Sequence, residues 1–521
     1  MKPSSIPALV LSLLAWTTAC TPAKTTPDAG VPWTPGWFPA GFLWGTATAG
    51  FQVEAGCPTI PAAECEDRNS DWYQFVMDPE LRAEMGNHLS GQDISAASGF
   101  YELYESDIGL VKNGLSSNAF RVGVEWSRIF PTSTVGVTDH AALRALASPA
   151  GLDFYRRVFT AARAQDIKLL VTLNHYVLPL WMHDGKACHQ NVDTCTARGW
   201  LDSNIIPELA KFSGFVAREY GDLVDLWATQ NEPLAVVVAG YAQPTETRTN
   251  PPALSFRFAE ARTVAANMQI AHARQYDAVK ANDTVDVDGD GKVAEVGLVY
   301  NVAPVHPRDP NNALDVLAAQ DTDYLYNQAF LNGIIRGDLD ADLDGVPEHR
   351  ADLENRMDYI GLNYYTRIVL AGTSDGNPVF PEFSIKTTFD PLSIMQGPPY
   401  AKGIYEAIMA MKAYNLPILI TENGAADDPL DAELGPRFLV EHLTWVSRAI
   451  RDGANVRGYF WWSLMDNFEW NHGMSMRFGL YAVAPDAQKT RTPRAMAPMF
   501  QRVASGNALP ADLMARYPVP E

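Results

Sequence analysis

The chain has 521 residues and sets 40 lysines and arginines against 61 aspartates and glutamates, a formal charge of −21. That length holds two or three domains of about 100 to 200 residues, or one α/β barrel with insertions. With 47% hydrophobic and 11% aromatic residues the composition is that of a globular chain, and the acidic balance excludes nucleic acid as the main partner, because phosphate binding needs a basic surface.

Residues 1–20 open with Lys2, run through an apolar stretch at 6–16 and end in small residues, the order of a signal peptide. Export is expected, whether to a bacterial-type periplasm, to the cell surface or to the medium. Residues 17–20, TTAC, resemble a lipoprotein signal, in which Cys20 is lipidated and anchors the protein to a membrane. That pattern usually has Leu where Thr17 stands, so lipidation and cleavage by an ordinary signal peptidase both stay open. Residues 21–37 are Thr/Pro-rich and read as a tether, which leaves 38–521 for the fold. The other four cysteines form two close pairs, Cys57 with Cys65 and Cys188 with Cys195. Two local disulfides are the natural assignment in an exported protein. The alternative, one metal site of four thiolates, lacks the tight gaps of structural zinc.

From residue 41 onward, apolar β-rich runs alternate with helical patterns. The runs begin at Phe42, Ala119, Lys168, Val224, Glu295, Asp358, Leu416 and Val456, and each ends in polar, aromatic or charged residues. Nearly continuous apolar runs imply strands buried on both faces, as in a parallel sheet under helices. Between them, Phe154, Val158, Phe159 and Ala162 share one helical face over residues 152–166. Phe438, Leu439, Leu443, Val446 and Ile450 do the same after Pro436 and before Gly453. Eight such units predict a single (β/α)8 TIM barrel; an open doubly wound sheet, the alternative, would not need polar residues at every strand end.

Two of those ends carry a glutamate beside an amide: Asn231-Glu232-Pro233 on the fourth run and Glu422-Asn423-Gly424 on the seventh. Facing carboxylates across a barrel mouth suit glycosidic bond cleavage, where one protonates the leaving oxygen and the other attacks or activates water. Here the sequence resembles glycoside hydrolase family 1, the β-glucosidase and β-galactosidase family. The blocks that carry the resemblance run in order: Phe42-Leu43-Trp44-Gly45 with Gln52 and Glu54, Phe120-Arg121, Trp126 to Pro131, the NEP at Asn231, GLNYYT at Gly361, ITENG at Ile420, and WWSLMDNFEW ending at Trp470.

The resemblance implies Glu232 as general acid/base and Glu422 as nucleophile of a retaining exo-β-glycosidase, with the carboxyls about 5 Å apart. Arg121 is expected to hold Glu422 ionised, Tyr365 to orient it, and Asn231 to bond the sugar 2-hydroxyl. The Glu422 charge is expected to raise the pKa of Glu232 so that it rests protonated. Gln52, His175, Asn231, Glu469 and Trp470 are the implied glycone contacts, with Trp462 as the aromatic platform. Glu469 disfavours a 6-phosphorylated sugar by charge. No organic cofactor is implied. The family usually shows His-Trp on the third strand, whereas here Tyr176 follows His175. That leaves β-glucosidase action on cello-oligosaccharides or aryl β-glucosides as the first reading, with β-galactosidase, β-fucosidase or transglycosylase activity open beside it. A non-catalytic sugar-binding surface protein is the alternative of another class, and oligomeric state stays open.

Two further motifs fall outside the resemblance. Asp286, Asp288 and Asp290, and likewise Asp340, Asp342 and Asp344, alternate as at the start of a calcium-binding EF-hand loop, with Gly291 and Gly345 in sixth place. Neither loop has the twelfth-position glutamate, for which Glu295 or Glu348 are the available substitutes. Each loop precedes a strand, so a bound Ca²⁺ is expected to be structural rather than catalytic.

Overall fold

The computed structural model describes residues 34–373, 384–387 and 399–520. The signal at 1–20, Cys20 and most of the tether therefore lie outside the described residues. Where the chain enters, Gly36 is already buried and Trp37 bridges to Ala508 near the carboxyl terminus.

Each of the eight apolar runs contains a barrel strand: β1 Leu43–Ala47, β2 Ala119–Gly123, β3 Lys168–Thr172, β4 Leu226–Asn231, β5 Glu295–Asn301, β6 Tyr359–Asn363, β7 Ile418–Asn423 and β8 Val456–Trp462. All pair in parallel with their sequence neighbours, and β8 returns to β1 with Ala47 opposite Trp462, so the sheet closes. Strands β2, β4, β6 and β7 are buried at every position, which is why their sequences do not alternate. The helices that cover the sheet include α1 Phe100–Gly109, α2 Pro149–Arg163, α3 Ile205–Tyr220, α4 Phe258–Asn282, α5 Ala329–Arg336, α6 Lys402–Met411, α7 Leu434–Arg451 and α8 Met496–Gly506. In α2 the helix starts and ends three residues before the expected span, because Ser148 caps it by accepting from the Gly151 N–H and Pro149 takes the first position, where no N–H is needed. Its predicted apolar face is buried, as is that of α7.

Register shifts fall on both strands that carry the glutamates. The register of β4 against β5 shifts between Ala228 and Asn231, and that of β7 against β6 shifts between Ile420 and Glu422. In β4 the consequence is visible: Thr229 Oγ1 bonds His272 while Gln230 Nε2 donates to the Met268 carbonyl and to Gln275, so two successive side chains meet α4. A regular pleat would turn them to opposite faces. Such irregularities re-aim the side chains that follow.

Both expected disulfides are present, Cys57–Cys65 and Cys188–Cys195, with Cα atoms 6.1 and 5.0 Å apart. A four-thiolate metal site is thereby excluded. Among the described residues no helix is long and apolar enough to cross a membrane.

The barrel wall leaves no room at Gly361 of β6, where an added Cβ would lie 2.9 Å from Val299 Cγ2 and 3.0 Å from the Leu298 carbonyl. Gly361→Ala is therefore expected to lose about 1–3 kcal/mol of stability by overpacking. Gly109→Ala, at the open end of α1, should be neutral or gain up to about 1 kcal/mol. Urea unfolding midpoints of the two variants check the contrast.

Candidate active site

At the carboxyl ends of the strands a cavity of about 300 Å³ is lined by Glu232, Glu422, His175, Tyr365, Trp462, Glu469 and Trp470, together with Tyr176, Arg248, Asn301 and Tyr326. Wider cavities, of about 520 and 700 Å³, open among strand beginnings at the other end of the barrel. Size therefore does not mark the site; converging carboxylates do. Of the residues singled out from sequence, Arg121, Asn231 and Gln52 stand behind this lining, each no more than 1% exposed.

Glu422 is held from two sides. Arg121 Nη1 donates to its Oε1 at 2.6 Å and the Tyr365 hydroxyl donates to its Oε2 at 2.7 Å. Burial outweighs both: desolvation, reinforced by the charge of Glu232, pushes the Glu422 carboxyl up to about 7 against the pull of Arg121. The expectation that Arg121 simply keeps it ionised is thus incomplete, since removing the pair from water costs more than the cation returns. Two buried carboxyls that feel each other share protons as a pair.

Glu232 follows the β4 irregularity with φ 43°, a left-handed backbone that a non-glycine residue adopts at a cost of about 1–3 kcal/mol. Its Oε1 accepts from Asn363 Nδ2 at 2.8 Å and from Asn301 Nδ2 at 3.3 Å, and its Oε2 accepts from the Tyr176 hydroxyl at 2.5 Å. Asn363 is fixed in that orientation because its Oδ1 accepts from Thr421 Oγ1 at 2.8 Å.

Asn231 is committed to protein partners: its Oδ1 accepts from Arg121 Nη2 at 2.8 Å, and its Nδ2 meets His175 Nε2 at 2.9 Å. Since Nδ2 can only donate, His175 Nε2 accepts and the ring proton sits on Nδ1. Burial, with Arg121 next, keeps the imidazole well below its usual pKa and therefore neutral. Nδ1–H has no partner among the described residues, although it is buried. Gln52 is similar: its Nε2 donates to Glu469 Oε2 at 2.8 Å and to Asn467 Oδ1 at 3.1 Å, while its buried Oε1 is unpaired. One free donor on the lining and one free acceptor behind it are what a polyhydroxylated ligand satisfies. Glu469 is pushed up to about 7 by burial, against the nearby Arg248. The Trp470 ring packs on Tyr176 at 4.8 Å and on His175 at 5.6 Å, and the Trp462 ring lies 5.9 Å from His175.

Sequence reasoning missed Arg248, Asn301 and the hydrogen-bonding role of Tyr176. Its one signal was the tyrosine standing where a tryptophan is usual.

The aspartate loops need correction. Asp286 and Asp288 converge with Asp225, ligand oxygens lying within 4.8 Å of one another, whereas Asp290 accepts the Lys292 N–H of its own loop at 2.9 Å. Lys168 already pairs with Asp288. Glu295 is not a twelfth ligand: Arg457 donates to both its oxygens at 2.8 and 3.0 Å and Lys292 pairs with it at 2.7 Å, which lowers its carboxyl to about 2 in spite of burial. In the second loop Asp340, Asp342 and Asp344 do converge, and Glu348 lies exposed in a short hairpin with Asp338–Leu339.

The sequence model of the family described as glycosyl hydrolase family 1 matches residues 34–509. A β-galactosidase of Pyrococcus woesei is 34% identical over 91% of this chain and 98% of its own. β-Glucosidase A of Thermotoga maritima is 31% identical over 87% of this chain and 94% of its own. Among solved structures, the β-glycosidase of Thermosphaera aggregans superposes with a TM-score of 0.80 at 28% identity, covering 93% of this chain and 100% of that one. Because the match spans all eight strands and the glutamates at their ends, and relatives above 30% identity extend over about nine-tenths of the sequence, the chain belongs to glycosyl hydrolase family 1.

Proposed function

We propose that this glycosidase is a retaining exo-β-glucosidase in which Glu422 is the nucleophile and Glu232 the general acid/base. The observation that carries the reading is the unequal treatment of two glutamates in one cavity: Glu422 is ion-paired to a buried arginine, while Glu232 is met by amides and a phenol. In this reading Glu232, which no cation touches, is the group that hands a proton to the leaving oxygen. Glu422 attacks the anomeric carbon as Glu232 passes its proton to the glycosidic oxygen; the C–O bond breaks and a glycosyl ester forms. Water then enters, Glu232 takes its proton, and the hydroxyl displaces Glu422 from the sugar.

His175 Nδ1–H and Gln52 Oε1 bind glycone hydroxyls in this reading, with Trp462 and Trp470 as the apolar wall. The carboxylate of Glu469 at the wall disfavours a phosphorylated sugar. Tyr176 donates to Glu232 rather than standing free for a sugar hydroxyl, so the site lacks the indole contact usual there. A β-galactosidase is the second reading, favoured by the name of the Pyrococcus woesei relative. We also propose that the chain is exported, and that the clusters Asp225–Asp286–Asp288 and Asp340–Asp342–Asp344 hold structural Ca²⁺.

Initial rates on p-nitrophenyl β-glucoside, β-galactoside and β-fucoside should rank glucoside first. Glu422→Gly should lose about 10⁴-fold or more in kcat. Glu232→Ala should lose about 10²- to 10⁴-fold on poor leaving groups and much less on a dinitrophenyl glycoside, which needs no acid. A folded wild-type protein that cleaves none of these would favour a sugar-binding role. EGTA should lower the melting temperature of calcium-loaded protein without changing initial rates below it; an unchanged melting curve removes the calcium proposal. Amino-terminal mass spectrometry of the exported protein should find a mature chain that starts at or shortly after Cys20, with an added lipid mass if Cys20 is modified.

A further inference from the structure

Arg248 lies in the long loop between β4 and α4, and nothing in the family pattern drawn from the sequence required it. Its side chain is only 20% exposed, and Nη2 donates to the Tyr176 hydroxyl at 2.8 Å while its guanidinium carbon sits 5.0 Å from the centre of the Tyr176 ring. The segment that carries it is fastened from both sides. Thr245 Oγ1 accepts from the Arg248 N–H at 3.1 Å, His472 Nε2 meets the Thr247 carbonyl at 2.6 Å, and Asn471 Nδ2 donates to the Glu246 carbonyl at 3.0 Å.

A guanidinium can only donate, so it occupies the acceptor side of the phenol. Tyr176 has one proton, and Oε2 of Glu232 at 2.5 Å is where it is directed. Burial keeps this phenol far above its usual pKa, so the proton stays on it. The backbone of Tyr176 is itself left-handed, with φ 70°.

We propose that Arg248 and Tyr176 are positioning residues that form a relay onto Glu232, holding Oε2 as an acceptor and confining the transferable proton to Oε1. The inference rests on reading Glu232 as the acid/base. The relay stabilises the carboxylate, the form that activates water in the second step, and lowers the pH at which the acid of the first step is lost. Oε1 is the oxygen that meets the side-chain amides of Asn363 and Asn301, and Asn301 can turn its carbonyl toward a proton there.

Apart from Glu469, whose Oε1 lies 4.0 Å from Arg248 Nη1 and which therefore feels the Arg248 variants but not Tyr176→Phe, the other charged or titratable groups around Glu232 act on it equally in every relay variant or do not ionise near neutrality. Glu422 on β7 and Glu469 beyond β8 oppose its ionisation. Arg121 on β2 donates to Asn231 and to Glu422, not to Glu232, and is unchanged in every variant. Tyr365 after β6 and Tyr326 before α5 are phenols kept protonated by burial, and His175 is neutral.

The test is the pH profile of kcat/KM for a p-nitrophenyl β-glycoside, measured for wild type, Tyr176→Phe, Arg248→Met, Arg248→Lys and Glu232→Gln. Tyr176→Phe keeps the ring and removes only the donor, so it should fold. The alkaline limb should move up by about one pH unit in Arg248→Met and in the same direction in Tyr176→Phe. Arg248→Lys, which keeps a cation, should return it at least halfway to the wild-type position. A limb that stays in place in both Phe and Met variants, or a Lys variant displaced as far as Met, overturns the relay. Glu232→Gln separates the two claims: it should abolish the limb, and a limb that survives there overturns the acid/base reading itself.

Discussion

One buried guanidinium ties the architecture to the chemistry. Arg121 leaves β2 fully buried and donates through Nε to Thr172 of β3 at 2.9 Å, through Nη2 to Asn231 of β4 at 2.8 Å, and through Nη1 to both Glu422 and the Thr421 carbonyl of β7. An isolated charge at that depth would cost many kcal/mol. It is tolerable only because every nitrogen finds an oxygen, and those oxygens come from strands on different sides of the barrel. The partner carboxylate is 5% exposed, so neither charge has water to fall back on. Loss of either would leave the other uncompensated, at about 3–5 kcal/mol. The same contacts that close the mouth of the barrel therefore keep Glu422 directed at the cavity.

The mouth is also where the backbone is least comfortable. Tyr176, Glu232 and Trp470 all sit at positive φ, and β4 and β7 slip register just before their glutamates. These departures cost free energy locally and persist because the surrounding sheet over-determines them. The other end of the barrel shows the opposite character. There Glu295 is neutralised by Arg457 and Lys292, and Lys168 pairs with Asp288. Gln52 Oε1 and His175 Nδ1, both buried and unpaired, stand by the mouth, where a ligand can complete them.

What could be read from the sequence follows from this division. All eight strands were legible because burial in the barrel wall writes a nearly continuous apolar run into each, and the disulfides were legible because each joins residues only eight or seven apart. The glutamates were legible as motifs at strand ends. The irregularities that aim them were not, because a bulge is a relation between two strands and leaves the composition of either unchanged. Glu295 was misread for a related reason: in sequence it follows an aspartate loop at a ligand-like distance, but its partner Arg457 is 162 residues away. Asp225, which does join Asp286 and Asp288, lies outside the loop pattern altogether.

Arg248 and Tyr176 show where pattern reading stops for a physical reason. A family motif encodes what the reaction requires of every member, and acid/base chemistry requires a carboxyl whose affinity for protons suits both steps. That requirement can be met in more than one way, because what acts on Glu232 is the sum of burial, the Glu422 charge and whatever donors reach its oxygens. Here the tyrosine that replaces the usual indole brings a hydroxyl to Oε2, and a loop arginine occupies that hydroxyl's acceptor side. Neither residue is informative alone: an arginine in a loop between strand and helix is commonly a solvated charge, and a tyrosine after a histidine is commonly packing. Only their joint placement, with donor capacity counted atom by atom, turns a departure from the motif into a statement about proton position.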